Sequence, residues 1–114
     1  MVHIKRLQED GADVLAIVGE IDASSSIDLD LAIAKSLSEG YTKILVDCSS
    51  LEYISSAGLG VFMSYIEEFR EKNFRMVIFG MKEKVANTFN ILGLDELLTI
   101  VPTKTEAKKK LSEV

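Results

Sequence analysis

Residues 43–60 read KILVDCSSLEYISSAGLG, and this stretch indicates the fold. It opens with three consecutive apolar residues, Ile44, Leu45 and Val46, which are typical of a strand buried on both faces of a sheet. We expect a strand over residues 43–48, a short polar loop after it, and then a helix whose apolar pattern begins at Leu59. A buried strand followed by a helix is typical of folds in which parallel strands alternate with helices.

The sequence before this stretch predicts a β-hairpin and a first helix. Apolar residues over 2–7 and 14–18 suit two strands, and the Asp-Gly pair at 10–11 between them suits a tight turn. The serines at 24–26 can cap a helix start, and Gly40 can end that helix in the left-handed conformation. The apolar residues of this helix are expected to form one broad buried face: Ile27, Leu31, Ala34, Ile33 and Leu37.

The rest of the sequence, from residue 55 onward, continues the alternation of helices and strands. Residues 55–72 carry apolar residues at spacings of three and four, which predicts a long helix. Thr103 and Glu106 form a capping-box pattern that predicts the start of a final helix. Between these two helices we expect a strand over 76–79, a helix marked by Val85, Phe89 and Leu92 that stops at Gly93, and a strand over 97–101.

The order of these elements predicts an α/β fold with a mixed, mostly parallel β-sheet, about four flanking helices and an N-terminal β-hairpin. A chain of 114 residues suits one domain over 1–114. Sites in such folds lie where the strands end at their carboxyl edge. Two loops with distinctive chemistry are expected there, over residues 19–26 and 47–60.

Composition narrows the class of protein. A net charge of −5 argues against a nucleic-acid surface, and no apolar run is long enough for membrane insertion. The single cysteine, Cys48, allows no intrachain disulfide. Together with the absence of a recognisable secretory signal, this predicts a cytoplasmic protein.

The residues that most enzymes need are missing from the sequence. There is no phosphate-binding loop, dinucleotide fingerprint or paired-cysteine metal motif, so we expect no cofactor and no metal. His3 is the only histidine and lies in a predicted strand, where a structural or surface role is expected. Cys48 is expected to be a small core residue. These features favour a binding protein without catalytic residues over an enzyme.

Two serines, Ser55 and Ser56, open the predicted long helix. A serine hydroxyl at this position can cap the helix, since serine is a favoured N-cap residue. It can also accept a phosphate, because the free N–H groups and the positive dipole end of the helix accommodate an anion. The small residues Ala57, Gly58 and Gly60 allow the first turn to approach either the sheet or a partner. Local chemistry leaves these alternatives open.

The segment from Ser55 to Gly60 resembles the phosphorylation loop of STAS-domain anti-sigma factor antagonists, in which an acidic residue and two small hydroxyl residues precede Gly-Leu. Alignment on Gly58-Leu59-Gly60 places the family phosphoacceptor on Ser56, with Ser55 as the alternative. Ala57 replaces the second hydroxyl residue of the pattern, and Ser55 replaces the acidic one. The residues Gly19-Glu20-Ile21-Asp22 and the segment 89–94 also resemble family elements, and the resemblance spans essentially the whole chain.

The resemblance implies a function in transcription regulation. In this family the unphosphorylated protein binds an anti-sigma factor, often a serine kinase, and frees the sigma factor. Phosphorylation ends the association, and a phosphoserine phosphatase restores it. Two alternatives are a phosphorylation-independent STAS scaffold or transporter-associated subunit, and a small hydrolase that uses Ser56. The predicted partner-binding residues are Asp22, Ser24, Ser55, Ser56, Ala57, Gly58 and Gly60.

Overall fold

A computed structural model describes residues 2–113. The chain forms five strands, four α-helices and one 3₁₀ turn, in the predicted order. Their bounds are β1 (Val2–Glu9), β2 (Ala12–Ile21), α1 (Ser26–Ser38), β3 (Lys43–Ile54), α2 (Ser56–Lys72), β4 (Arg75–Phe79), α3 (Glu83–Ile91), the 3₁₀ turn (Leu94–Glu96), β5 (Thr99–Val101) and α4 (Lys104–Ser112).

The five strands form one mixed sheet in the order β1-β2-β3-β4-β5. Only the β1–β2 pair is antiparallel, and the other three pairs are parallel. Asp10 and Gly11 join β1 to β2 with positive φ angles of 52° and 82°, as a two-residue turn that matches the twist of a hairpin requires. The predicted mixed sheet with an N-terminal hairpin is confirmed.

Helices cover both faces of the sheet. Ile44 and Val46 of β3 pack with residues of α1, α2 and α3 in the larger apolar core. Leu45, between them, packs on the opposite face with Ala107 and Leu111 of α4. The expectation that this strand is buried on both faces is therefore confirmed, and Cys48 is a buried core residue as expected. None of the helices formed by residues 2–113 is long and apolar enough to cross a membrane.

The predicted buried face of α1 was only partly right. Ile33 is buried and Leu37 packs against the core as predicted, and the helix also buries Ser26, Leu29 and Ser36. The other three predicted residues are exposed: Ala34, Ile27 and Leu31, the last two to 62% and 61%. Apolar residues occur almost all round this helix, so periodicity alone does not select the buried side. Contact with the rest of the fold selects it, and the Tyr65 hydroxyl of α2 donates to Asp30 Oδ1 at 2.5 Å across the α1–α2 contact.

All five strands have bounds that differ from the predicted ones, and the differences are largest in β2, which spans Ala12–Ile21 where 14–18 was predicted, and in β3. β3 continues through the polar residues 49–50 to Ile54, because β2 pairs with it along this whole length through two register shifts. The short loop expected after residue 48 is therefore strand. β5 begins only at Thr99, because the 3₁₀ turn occupies the chain just before it.

Candidate functional site

The two chemically distinctive loops meet at the carboxyl edge of the parallel strands. Ile21 ends β2 beside Ile54, which ends β3. The backbone N–H of Ser55 donates to the Ile21 carbonyl at 2.8 Å. Asp22 directly follows Ile21, and Ser56 directly follows Ser55. Parallel pairing thus brings the chain segments of the two residues together, although they are 34 positions apart in the sequence.

Ser55 caps helix α2. Its backbone is extended, with φ −82° and ψ 169°, and its side-chain oxygen accepts from the Gly58 N–H at 3.3 Å. This bond satisfies one of the free N–H groups at the helix start. Of the two serines that could cap the helix, the structure therefore assigns the cap to Ser55.

Ser56 is the first residue of α2, which confirms the predicted position at the helix N-terminus. The residue is exposed, and within residues 2–113 no hydrogen bond involves its hydroxyl. The first turn of α2 carries no acidic side chain that would repel an added anion. The Ser56 hydroxyl is thus accessible, has no structural role in these contacts, and lies at the positive end of a 17-residue helix.

The three small residues after Ser56 differ in role. A Cβ atom on Gly58 would lie 2.7 Å from Ile54 Cγ1 and 2.8 Å from Ile21 Cγ2, so this buried glycine lets α2 approach the strand ends. Gly60 and Ala57 are exposed, and nothing lies within 4 Å of a Cβ built on Gly60. Gly58, which the predicted partner-binding set includes, is thus buried against the sheet and does not lie on the exposed surface beside Ser56.

The replacement Gly58→Ala is expected to lower the free energy of unfolding by about 2 kcal/mol, because the methyl group would press on two buried isoleucines. Gly60→Ala is the matched control in the same helix. It has room for the methyl group and is expected to be neutral or to raise stability by about 0.5–1 kcal/mol. Urea denaturation of both variants measures the difference, and equal stabilities would contradict the close-packing role of Gly58.

Asp22 is held by the serines that follow it. Its Oδ1 atom accepts from the Ser25 and Ser24 N–H groups at 2.8 and 3.0 Å, and from both hydroxyls at 2.9 Å. These bonds, with the Ser25 N–H first among them, lower the pKa of Asp22 to about 2, so the exposed side chain is a carboxylate at neutral pH. These bonds tie Asp22 to the residues that start α1 and leave its charge at the surface.

The sequence reasoning missed one residue of this loop. Ser25 is buried at the N-cap position of α1, and its Oγ atom accepts from the Asp22 N–H at 2.8 Å. Ser25 therefore holds Asp22 at two places: its Oγ accepts from the Asp22 N–H, and its own N–H and hydroxyl donate to the Asp22 carboxylate. The run of three serines identified the helix start but did not show which serine holds Asp22.

A charged cluster that the sequence reasoning did not single out lies near the end of β3. Glu52 pairs with Lys82, which precedes α3, and with Lys84 at 3.0 Å. Lys82 first, and then Lys84, lowers the pKa of the Glu52 carboxyl. The cluster connects β3 to the start of α3. Within residues 2–113, no group of three or more His, Cys, Asp or Glu side chains is placed to hold a metal.

Comparison with known proteins identifies the family. The family model described as the STAS domain matches residues 3–107. An anti-sigma-B factor antagonist of Listeria monocytogenes is 29% identical over 100 residues, which cover 87% of this chain and 86% of that protein. The crystal structure of an anti-sigma factor antagonist from Mycobacterium paratuberculosis superposes with a TM-score of 0.90 at 21% identity, covering 99% of this chain and 96% of that one.

The Bacillus cell fate determinant SpoIIAA in its phosphorylated form superposes with a TM-score of 0.68 at 18% identity, covering 96% of this chain and 98% of that one. The two solved structures establish the fold, and the family match covers nearly all of the chain. The sequence therefore belongs to the STAS domain family.

Proposed function

We propose that this protein is an anti-sigma factor antagonist that switches partners through phosphorylation of Ser56. In its unphosphorylated form it binds an anti-sigma factor, which is itself a serine kinase, and frees the sigma factor. The observation that carries the proposal is the accessible Ser56 hydroxyl at the start of α2, beside a neighbouring serine that already caps the helix. The names of the relatives and the family membership support it.

The proposed partner surface comprises the exposed residues around this hydroxyl. Asp22 and Ser24 contribute from the loop after β2, and Ser56, Ala57 and Gly60 contribute from α2. Ser55 lies at the same edge, where its side chain is occupied by the cap. The surface is small and carries one fixed carboxylate, so a second negative group there would alter its charge strongly.

The switch follows from charge. A phosphate adds about 1.5 to 2 negative charges, and the N–H groups of the first turn of α2 tolerate it within the domain. In the complex the same charge would lie inside a protein interface beside the Asp22 carboxylate. The fold should therefore persist while the association ends, and a phosphoserine phosphatase would restore binding.

The protein has no reaction of its own in this proposal: it is the substrate of the kinase and of the phosphatase in the cytoplasm. A hydrolase using Ser56 would need a base beside the hydroxyl. Within residues 2–113 no base forms a hydrogen bond to it, and the histidine lies on β1, which pairs with β2 rather than β3.

Labelling with radioactive ATP and a serine-kinase anti-sigma factor from the same organism tests the proposal. We expect one phosphate per chain, mapped to Ser56, with no label in Ser56→Ala and full label in the matched variant Ser55→Ala. A phosphate mapped to Ser55 would keep the switch but move its site. Stable binding of the partner without any phosphate transfer would overturn the proposal in favour of a phosphorylation-independent scaffold or a transporter-associated subunit.

A further inference from the structure

An open cavity of about 430 Å³ lies between the second half of α2, the start of β4 and the segment just before β5. Four aromatic rings line it, those of Phe62, Tyr65, Phe69 and Phe74. The rings of Phe69 and Phe74 meet edge to face at 5.8 Å. Its size falls within the range of sites that bind small organic molecules, about 300–1,000 Å³.

The cavity is separate from the proposed switch surface. Ser56 is the first residue of α2, whereas Phe69 and Arg70 line the cavity from the last turns of that helix. A helix of 17 residues is about 25 Å long, so its two ends lie at opposite edges of the sheet. A ligand in the cavity would therefore leave Ser56 and its neighbours uncovered.

The rim of the cavity is positively charged in a protein whose net charge is −5. Arg70, Arg75 and Lys110 lie on it, with Glu113 as the acidic side chain, 3.4 Å from Lys110. Arg75 donates to the Lys110 carbonyl oxygen at 3.2 Å. In the part of the chain that the structure describes, neither Arg70 nor Arg75 forms an ion pair with a carboxylate. Both guanidinium groups at the rim therefore have N–H donors available for a bound anion.

The rim also exposes apolar surface. Leu97 lines the cavity and is 53% exposed. Leu98, next to it, lines the cavity as well and is half-buried. Apolar side chains at the mouth and aromatic rings within suit a hydrocarbon chain, whereas guanidinium groups suit a carboxylate head.

We propose that this cavity binds an amphipathic organic anion, a carboxylate that carries a flexible apolar chain. The carboxylate accepts hydrogen bonds from Arg70 and Arg75, and the chain lies among the four rings. The inference rests on the lining and the charge of the cavity and does not depend on the proposed function of Ser56.

Titration of the nitrogen-15-labelled full-length protein with decanoate, followed by NMR, tests this binding. We expect saturable shifts at residues 65–77 and 97–99, with decanoate bound at least about tenfold more tightly than 1-decanol, which lacks the charge. Hexanoate should bind at least about tenfold more weakly than decanoate, since each buried methylene is worth about fourfold in affinity.

Variants separate the cavity from nonspecific binding. Arg70→Gln removes an exposed guanidinium and should weaken decanoate binding about tenfold, whereas Arg70→Lys should retain most of the affinity. Lys5→Gln removes an exposed cation from β1 and should leave binding unchanged. Equal affinity for the acid and the alcohol, shifts away from the cavity, or concentration-dependent shifts without ligand that reveal a second copy as the occupant would each overturn the proposal.

Discussion

Phosphorylation of Ser56 is expected to weaken anti-sigma factor binding about a hundredfold while the domain stays folded, which corresponds to about 3 kcal/mol. The phosphate would lie at the N-terminus of α2, where the free N–H groups stabilise it in the isolated protein. In the complex it would lose water, and its repulsion with the Asp22 carboxylate of the same chain would be screened less than in solution. The penalty therefore falls on binding and not on folding.

Calorimetric titration of the phosphorylated and unphosphorylated protein against the anti-sigma factor measures this effect. Ser56→Asp should show a smaller loss in affinity, because aspartate carries less charge than phosphate. Ser56→Ala should bind normally and melt normally, since its hydroxyl has no partner within the described residues. Equal affinities of the two natural forms would eliminate the switch.

The variant Ser55→Ala tests the capping role separately from phosphorylation. It removes the cap of α2 and is expected to lower the free energy of unfolding by about 1 kcal/mol without preventing phosphorylation of Ser56. If Ser56→Ala, and not Ser55→Ala, proved to be the destabilised variant, the assignment of the cap would be wrong.

Replacement of Asp13 by alanine is expected to lower the free energy of unfolding by about 3 kcal/mol. The Asp13 side chain is completely buried on β2 and accepts from Arg6 Nη2 at 2.6 Å and Nε at 3.0 Å, and from Gln8 Nε2 at 2.9 Å. Its loss would leave three donor groups on two β1 side chains, Arg6 and Gln8, without this acceptor. Arg6 also donates to Glu39, at the end of α1, so the network connects the hairpin to that helix.

Glu39→Ala is the matched control, because it removes the other carboxylate that Arg6 contacts. Glu39 is 42% exposed, so its loss should cost less than about 1 kcal/mol. Urea denaturation of both variants measures this difference, and adding Arg6→Ala and the double variant Arg6→Ala/Asp13→Ala would give the coupling between the two groups. If Asp13→Ala cost no more than Glu39→Ala, the buried network would not be the stabilising feature that its geometry indicates.

Much of the fold could be predicted from local signals. The Asp-Gly pair at 10–11 requires positive φ angles, and the structure has a hairpin turn there. Thr103 caps α4 by accepting from the Glu106 N–H, as the capping-box pattern predicted. Gly40 and Gly93 have positive φ at the ends of their helices, as expected. Each of these signals depends on a few neighbouring residues, and it therefore works before the chain is folded.

The candidate site was predictable to a lesser degree. The pattern around Gly58-Leu59-Gly60 pointed to Ser56, and the alternation of strands and helices placed its loop near Asp22. The same pattern could not separate the capping serine from the accessible one, because both residues have the same side chain. The two serines differ because the extended backbone of Ser55 places its side-chain oxygen where the Gly58 N–H donates to it.

The sequence by itself determined the order and the approximate positions of the strands, turns and helices of this protein, because turn residues, caps and apolar runs act over a few positions. Only the tertiary structure decided which side of α1 is buried and how far β3 extends. Ile27 and Leu31 are as apolar as Leu29 and Ile33, yet only the second pair meets the sheet. The buried partners of Asp13, the close approach at Gly58 and the cavity beyond α2 likewise arise from packing between segments that are distant in the chain.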